Sequence, residues 1–135
     1  MNEASFSKWL CNKLLKQGLF PQRLEVTTGA GIPDLAVLSN SLTLDKGDPY
    51  DIHPYTLWIE LKWETKHIRP EQYVWGTKAS KTGVNVNYLV GYDDRMELYS
   101  LQDAKPMTKT YKLTTLIKDF PRTGEGMKDL ISYLQ

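Results

Sequence analysis

The chain has 135 residues, 41% of them hydrophobic and 24% charged, which suits one domain built on a single hydrophobic core. A formal net charge of +1 argues against a protein that holds nucleic acid by bulk electrostatics alone. No apolar run approaches the roughly eighteen residues of a membrane span. An enzyme acting on nucleic acid is still allowed, because catalytic carboxylates lower the net charge while basic residues cluster locally. Met1-Asn2-Glu3 opens the chain without a basic region followed by an apolar one, so no secretory signal is expected. The single cysteine, Cys11, cannot form an intrachain disulfide, and a reducing cytoplasm is the expected setting.

Residues 4–17 predict an amphipathic helix, with Phe6, Leu10 and Leu14 recurring every fourth position and Trp9 and Leu15 widening the stripe. Gly18 is placed to end it, Pro21 cannot continue it, and Cys11 beside the stripe reads as a packing residue. Residues 23–28 alternate like a strand, and Thr28-Gly29-Ala30-Gly31 reads as a turn. Residues 35–38 form a short apolar run, as in a buried strand. Residues 39–54 are polar and rich in Asp, Gly and Pro, which predicts a long loop or a hairpin excursion. Asp45, Asp48, Asp51 and His53 lie there, but their spacing does not fit an EF-hand, so they read as loop polarity.

Residues 55–63 are the clearest strand. Residues 70–81 predict a helix with proline in its first turn and Tyr73, Val74 and Thr77 among its packing residues. Residues 84–92 predict another strand, paired with 96–99 through the Asp93-Asp94-Arg95 turn. Residues 114–120 and 127–134 read as two short helices separated by Pro121 and Gly124-Glu125-Gly126. In the last one Met127, Leu130, Ile131 and Leu134 stand at helical spacing, to pack on the domain or else to close a homodimer. The order of elements predicts an α/β fold with a mixed central β-sheet flanked by helices, as one domain over 1–135.

The chemistry-bearing residues concentrate in two places. On the strand Leu57-Trp58-Ile59-Glu60-Leu61-Lys62-Trp63 alternate side chains face opposite ways. Leu57, Ile59, Leu61 and Trp63 would enter the core, leaving Trp58, Glu60 and Lys62 on the other face. That face would be either a solvated, mutually neutralising pair or half of a site. Ile32-Pro33-Asp34 leads into the apolar run Leu35-Ala36-Val37-Leu38, which would hold a carboxylate at the mouth of a neighbouring strand. Phosphodiester hydrolysis needs an activated water and relief of charge on the phosphoryl oxygens. Mg2+ or Mn2+ supplies both, and such hard cations prefer oxygen ligands. Asp34 and Glu60 would be those ligands, with the carbonyl of Leu61 as a third. Lys62 would orient or deprotonate the water, or stabilise developing negative charge.

Gly31-Ile32-Pro33-Asp34, Ile59-Glu60-Leu61-Lys62 and Arg69-Pro70-Glu71-Gln72-Tyr73-Val74-Trp75 together resemble the PD-(D/E)XK nuclease superfamily. The likeness is strongest to its VRR-NUC branch of stand-alone phage and bacterial nucleases, and it runs from about Glu3 to about Tyr92. It implies a restriction-endonuclease-like core related to Holliday-junction resolvases. It also implies a divalent-metal-dependent nuclease that cuts DNA, with branched or structured DNA among the candidate substrates, by means of metal-activated water, in a bacterial or phage-infected cytoplasm.

Carried onto this chain, the motif makes Asp34 and Glu60 metal ligands, Lys62 the catalytic lysine, and Gln72 the glutamine that holds Lys62 or a phosphate. Glu3 matches an acidic residue on the first helix that joins the metal site. Lys66, Arg69, Lys78 and Lys81 are candidate phosphate contacts. Trp63 and Trp75 read as core more than as base-stacking residues, and His67 as an exposed loop residue. The interval from Asp34 to Glu60 exceeds what a compact member would have, and 39–54 accounts for the excess. The competing reading is an inactive module of the same fold that binds nucleic acid or a protein.

Overall fold

A computed structural model describes residues 1–24, 30–42 and 52–134, with the backbone alone at 39–42 and 52–55. Helix α1 (Glu3–Lys16) starts where the Asn2 side chain accepts a 2.8 Å hydrogen bond from the Ser5 N–H. Its Phe6, Leu10 and Leu14 are buried, as their spacing predicts. Gly18, at φ +81°, ends it and lets the Leu19 N–H reach back to the Leu14 carbonyl.

Six strands form the main sheet: β1 (Phe20–Arg23), β2 (Leu35–Leu42), β3 (Ile52–Trp63), β5 (Val86–Gly91), β6 (Arg95–Ser100) and β9 (Thr115–Pro121), in the order β1-β2-β3-β5-β6-β9. All neighbours are antiparallel except β3 and β5. A parallel pair needs a long crossover, and here β4 (His67–Ile68) and helix α2 (Pro70–Lys81) supply it. A second sheet joins β4 to β7 (Lys105–Pro106) and β8 (Tyr111–Lys112) in the order β4-β8-β7.

The alternation of β3 divides the molecule. Ile59 and Leu61, with Leu57 and Trp63 beside them, join Phe6, Leu10, Met96, Phe120, Met127 and Leu130 in a core under α1 and α3 (Gly124–Leu134). Trp63 packs on the Phe6 ring at 5.5 Å, and Cys11 lies against this same core. The opposite face carries a smaller cluster of Ile68, Tyr88, Val90, Tyr99 and Leu113. Trp75 of α2 meets Trp58 there at 5.6 Å. The mixed sheet flanked by helices is the architecture the sequence predicts. Helix α3 commits Met127, Leu130 and Ile131 to the core of its own chain, so its apolar stripe packs on the domain. Among the described residues no helix is long and apolar enough to cross a membrane.

Two expectations change, and the structure decides a third between its alternatives. Residues 114–120 are not a helix: they form β9, paired with β6. Leu113, Leu116, Ile117 and Phe120 do recur at helical spacing, but in the fold only Leu113 and Phe120 are buried, with Leu116 and Ile117 47% and 43% exposed. The open backbone edge of β6 instead selects a strand. The strand expected over 23–28 lies earlier, as β1, where Pro21 is tolerated because β1 is an edge strand; residues 25–29, and with them part of the 28–31 turn, lie outside the described residues. The 39–54 segment is the hairpin alternative at its base, since the β2–β3 ladder runs from Leu35↔Ile59 to Leu42↔Ile52. Asp45, Asp48 and Asp51 lie outside the described residues.

Candidate active site

Register places the two acids. The β2–β3 ladder ends at Leu35↔Ile59, and the next step along it sets Asp34 opposite Glu60. Directly opposed residues of an antiparallel pair share a face, so both carboxylates meet on the α2 side of the sheet. Asp34 is fixed there by two hydrogen bonds: its Oδ2 accepts from the Leu61 N–H at 2.9 Å, and its carbonyl accepts from the Leu24 N–H at 2.8 Å.

Glu60 is 3% exposed, and Lys62, two residues on along the same face, brings its Nζ to 3.9 Å from Glu60 Oε1. The expectation of a solvated face is therefore overturned, since α2 covers it. Burial, then the neighbouring Asp34 carboxylate, push the Glu60 carboxyl up to about 9; Lys62 opposes the shift, and Glu3 adds to it. Two acids held together in a desolvated place leave negative charge under-compensated, a common mark of a functional site.

Gln72 is 5% exposed, and both ends of its amide have partners. Its Oε1 accepts from the Arg69 N–H at 2.8 Å, capping the start of α2, and its Nε2 donates to Glu60 Oε1 at 2.5 Å. These two bonds tie the amide to the helix cap and to Glu60, and they leave the second Nε2–H and the second Oε1 lone pair unused. Replacing it with alanine removes a cap and leaves a buried carboxyl without its donor, a loss of about 1–3 kcal/mol. Gln72→Ala is therefore expected to melt several degrees below the native protein by calorimetry.

Close approach of α2 to this face depends on glycine. Gly31 has φ +77°, and a Cβ there would collide with the Glu71 carbonyl oxygen. Gly76 of α2 makes room in the same way for the hydroxyl of Tyr88, which stands in register beside Glu60.

The other predicted residues divide by position. Glu3 lines a cleft of about 160 Å³ together with Ser7, Arg23, Asp34 and Leu61. Its carboxyl is raised first by burial, with Lys62, Asp34 and Arg69 among its charged neighbours. Leu61 contributes its N–H to Asp34 and its backbone to the cleft wall. Arg69 stands at the N-terminus of α2, half-exposed beside Glu71. Lys66 lies over the Tyr99 ring at 5.6 Å. Lys78 and Lys81 are exposed on the far end of α2; nine residues at 1.5 Å each put Lys81 roughly 13 Å along the helix from Gln72. His67 is exposed, with Nδ1 2.9 Å from Thr110 Oγ1. Arg23 and Ser7 belong to no motif that a sequence reading could single out; β1 and α1 bring them to the cleft wall. Among the described residues no three His, Cys, Asp or Glu side chains converge on a common point at ligating distance.

Neither protein-family models nor a search of curated proteins gives a match to this chain. Among solved structures, the fold recurs in the 1.6 Å structure of Hjc, a Holliday junction resolvase from the archaeal hyperthermophile Archaeoglobus fulgidus. The TM-score is 0.51 at 14% sequence identity, over 90% of this chain and 85% of that one. At that identity the likeness establishes a shared fold: a mixed central sheet flanked by helices, as in a resolvase nuclease.

Proposed function

We propose that residues 1–135 form a nuclease domain of the PD-(D/E)XK superfamily, VRR-NUC-like in its motifs, that hydrolyses phosphodiester bonds of DNA with a divalent cation. The observation that carries this reading is the opposition of Asp34 and Glu60 across β2 and β3, with Lys62 on the same face. That the chain shares its fold with a protein titled as a Holliday junction resolvase supports DNA as the substrate and makes branched or structured DNA the first class to try.

The donor set fits a hard cation. Asp34 and Glu60 supply carboxylate oxygens, the Leu61 carbonyl a third oxygen, and Glu3 another carboxylate on the cleft wall. Mg2+ is commonly held by one or two carboxylates while keeping several waters. When bound, Mg2+ or Mn2+ would supply charge neutralisation and lower the pKa of water. In this reading Lys62 presents its ammonium to the charge that develops on the phosphoryl oxygens, or orients the attacking water. Gln72 keeps Glu60 aimed.

Cleavage of labelled duplex, nicked, flapped, four-way-junction and single-stranded DNAs tests this directly. Cutting is expected with Mg2+ or Mn2+, to stop with EDTA, and to fall at least about a hundredfold in Asp34→Ala and Lys62→Ala. No cutting of any substrate, together with no cation binding by calorimetry, would sink the proposal in favour of an inactive binding module.

A further inference from the structure

The small sheet β4-β8-β7 has two faces of opposite character. Pro106, Tyr111 and Ile68 are directly opposed in register and form one row, which runs from an exposed Pro106 inward to Ile68. Ile68 is fully buried, and Tyr111 stacks on Tyr73 of α2 with ring centroids 3.9 Å apart and the planes parallel. Lys105, Lys112 and His67 form the outer row, one opposite the next. Like charges directly opposed across strands cost stability, yet here two lysines are set side by side. Among the described residues, Lys105, Lys109 and Lys112 take part in none of the ion pairs. The hairpin from Lys105 to Lys112 contains no acid, so three positive charges stand in eight residues of a chain whose net charge is only +1. Local charge concentrated in that way, at a cost to the sheet, marks a surface made for an anion.

The row is also tied to the proposed site. Strand β4 runs straight into Arg69, whose N–H donates to Gln72, and Gln72 holds Glu60. The Leu113 N–H bonds back to the Lys66 carbonyl at 2.8 Å, closing the sheet onto the segment between Lys62 and α2.

We infer that the outer row of β4-β8-β7, with Lys105 and Lys112 and with Lys109 of the turn between them, is a clamp for the phosphate backbone of duplex DNA flanking the cleaved bond. This rests on the nuclease reading above. Three strands at about 4.8 Å spacing span roughly 10 Å. One strand of B-DNA carries a phosphate about every 3.4 Å of axis, so about three phosphates fall within that reach. Recognition there is of backbone, not sequence. Single-strand binding ordinarily uses exposed aromatic platforms, and the one aromatic of this hairpin, Tyr111, is already spent on Tyr73. Duplex is therefore the form it fits.

The test compares the native chain with Lys105→Gln/Lys109→Gln/Lys112→Gln and with a control of equal charge change, Lys8→Gln/Lys16→Gln/Lys128→Gln. Binding of labelled duplex and single strands is followed by anisotropy in EDTA across a salt series, with folding checked by thermal melting. The hairpin variant is expected to bind duplex at least about tenfold more weakly and to lose about 2–3 from the slope of log K against log salt, at roughly 0.9 per phosphate contact. The control should keep both. Equal losses in both variants, an unchanged slope in the hairpin variant, or a loss confined to single strands would overturn the clamp. If the chain never cuts DNA but the hairpin variant alone loses duplex binding, the clamp stands and the nuclease reading fails. If the chain cuts DNA and the hairpin variant keeps the native slope, the nuclease reading stands and the clamp fails.

Discussion

Glu60→Gln is expected to abolish metal-dependent cleavage and, at the same time, to raise the melting temperature of the cation-free protein. The folded carboxyl titrates near 9, because it is buried and faces Asp34, whereas in the unfolded chain it titrates near the ordinary value of about 4.3. Above the unfolded value the unfolded state releases the proton and the folded state keeps it, so the native protein loses stability as pH rises through that interval toward 9. At pH 7 the loss is up to about 4 kcal/mol, at roughly 1.36 kcal/mol for each pH step. Glutamine removes the ionisation but still offers an oxygen to the Gln72 Nε2, so the packing survives. Calorimetry in EDTA should show Glu60→Gln melting ~5 °C or more above the native protein at pH 8, with the gap closing at pH 5. A variant no more stable than the native chain at pH 8 would contradict this account of the site. Saturating Mg2+ should narrow the gap by stabilising only the native protein, so activity and cation-free stability are opposed at this position.

A second large effect is expected at Gly31. Alanine there must adopt φ near +77° and also drive its Cβ into the Glu71 carbonyl oxygen, which is backbone and cannot rotate away. The left-handed conformation costs roughly 1–2 kcal/mol. The clash forces the start of α2 off the sheet, drawing Gln72 from Glu60. Gly31→Ala is thus expected to lose about 3 kcal/mol or more in denaturant unfolding, together with most of any cleavage activity. Gly18 isolates the two contributions. It has φ +81° and no atom within 4 Å of an added Cβ, so Gly18→Ala carries only the conformational cost, roughly 1 kcal/mol. If the two variants lose equal stability, the contact with α2 is not what requires glycine at 31.

The residues that sequence exposes most plainly are those governed by local periodicity. Alternation along 57–63 assigns Glu60 and Lys62 to one face and Ile59 and Leu61 to the other, and both assignments hold. The stripe Phe6, Leu10, Leu14 likewise defines α1. What sequence does not reveal is set by long-range partners. The 114–120 segment takes its conformation from the edge of β6, which no local pattern encodes. Strands β4, β7 and β8 are two residues each, too short to show any period, and Tyr111 of β8, stacked on Tyr73, ties them to α2. Gln72 is recognisable by motif, but its partner is not. Whether its amide reaches Lys62, a phosphate or Glu60 depends on how closely α2 sits on the sheet, and that is decided by Gly31 and Gly76. Arg23 and Ser7 reach the cleft only because β1 and α1 border it.

The paired ladder of β2 and β3 has a consequence for kinship. Partners are matched from the open end of the hairpin, where Leu35 meets Ile59. Residues added to or removed from the far end therefore change the count between Asp34 and Glu60 without moving either acid. The interval between the two acids is a free length for this fold. Chain distance between the two acids says nothing about relatedness here, and a pattern search that fixes that gap would pass over true cousins whose two carboxylates nevertheless stand face to face.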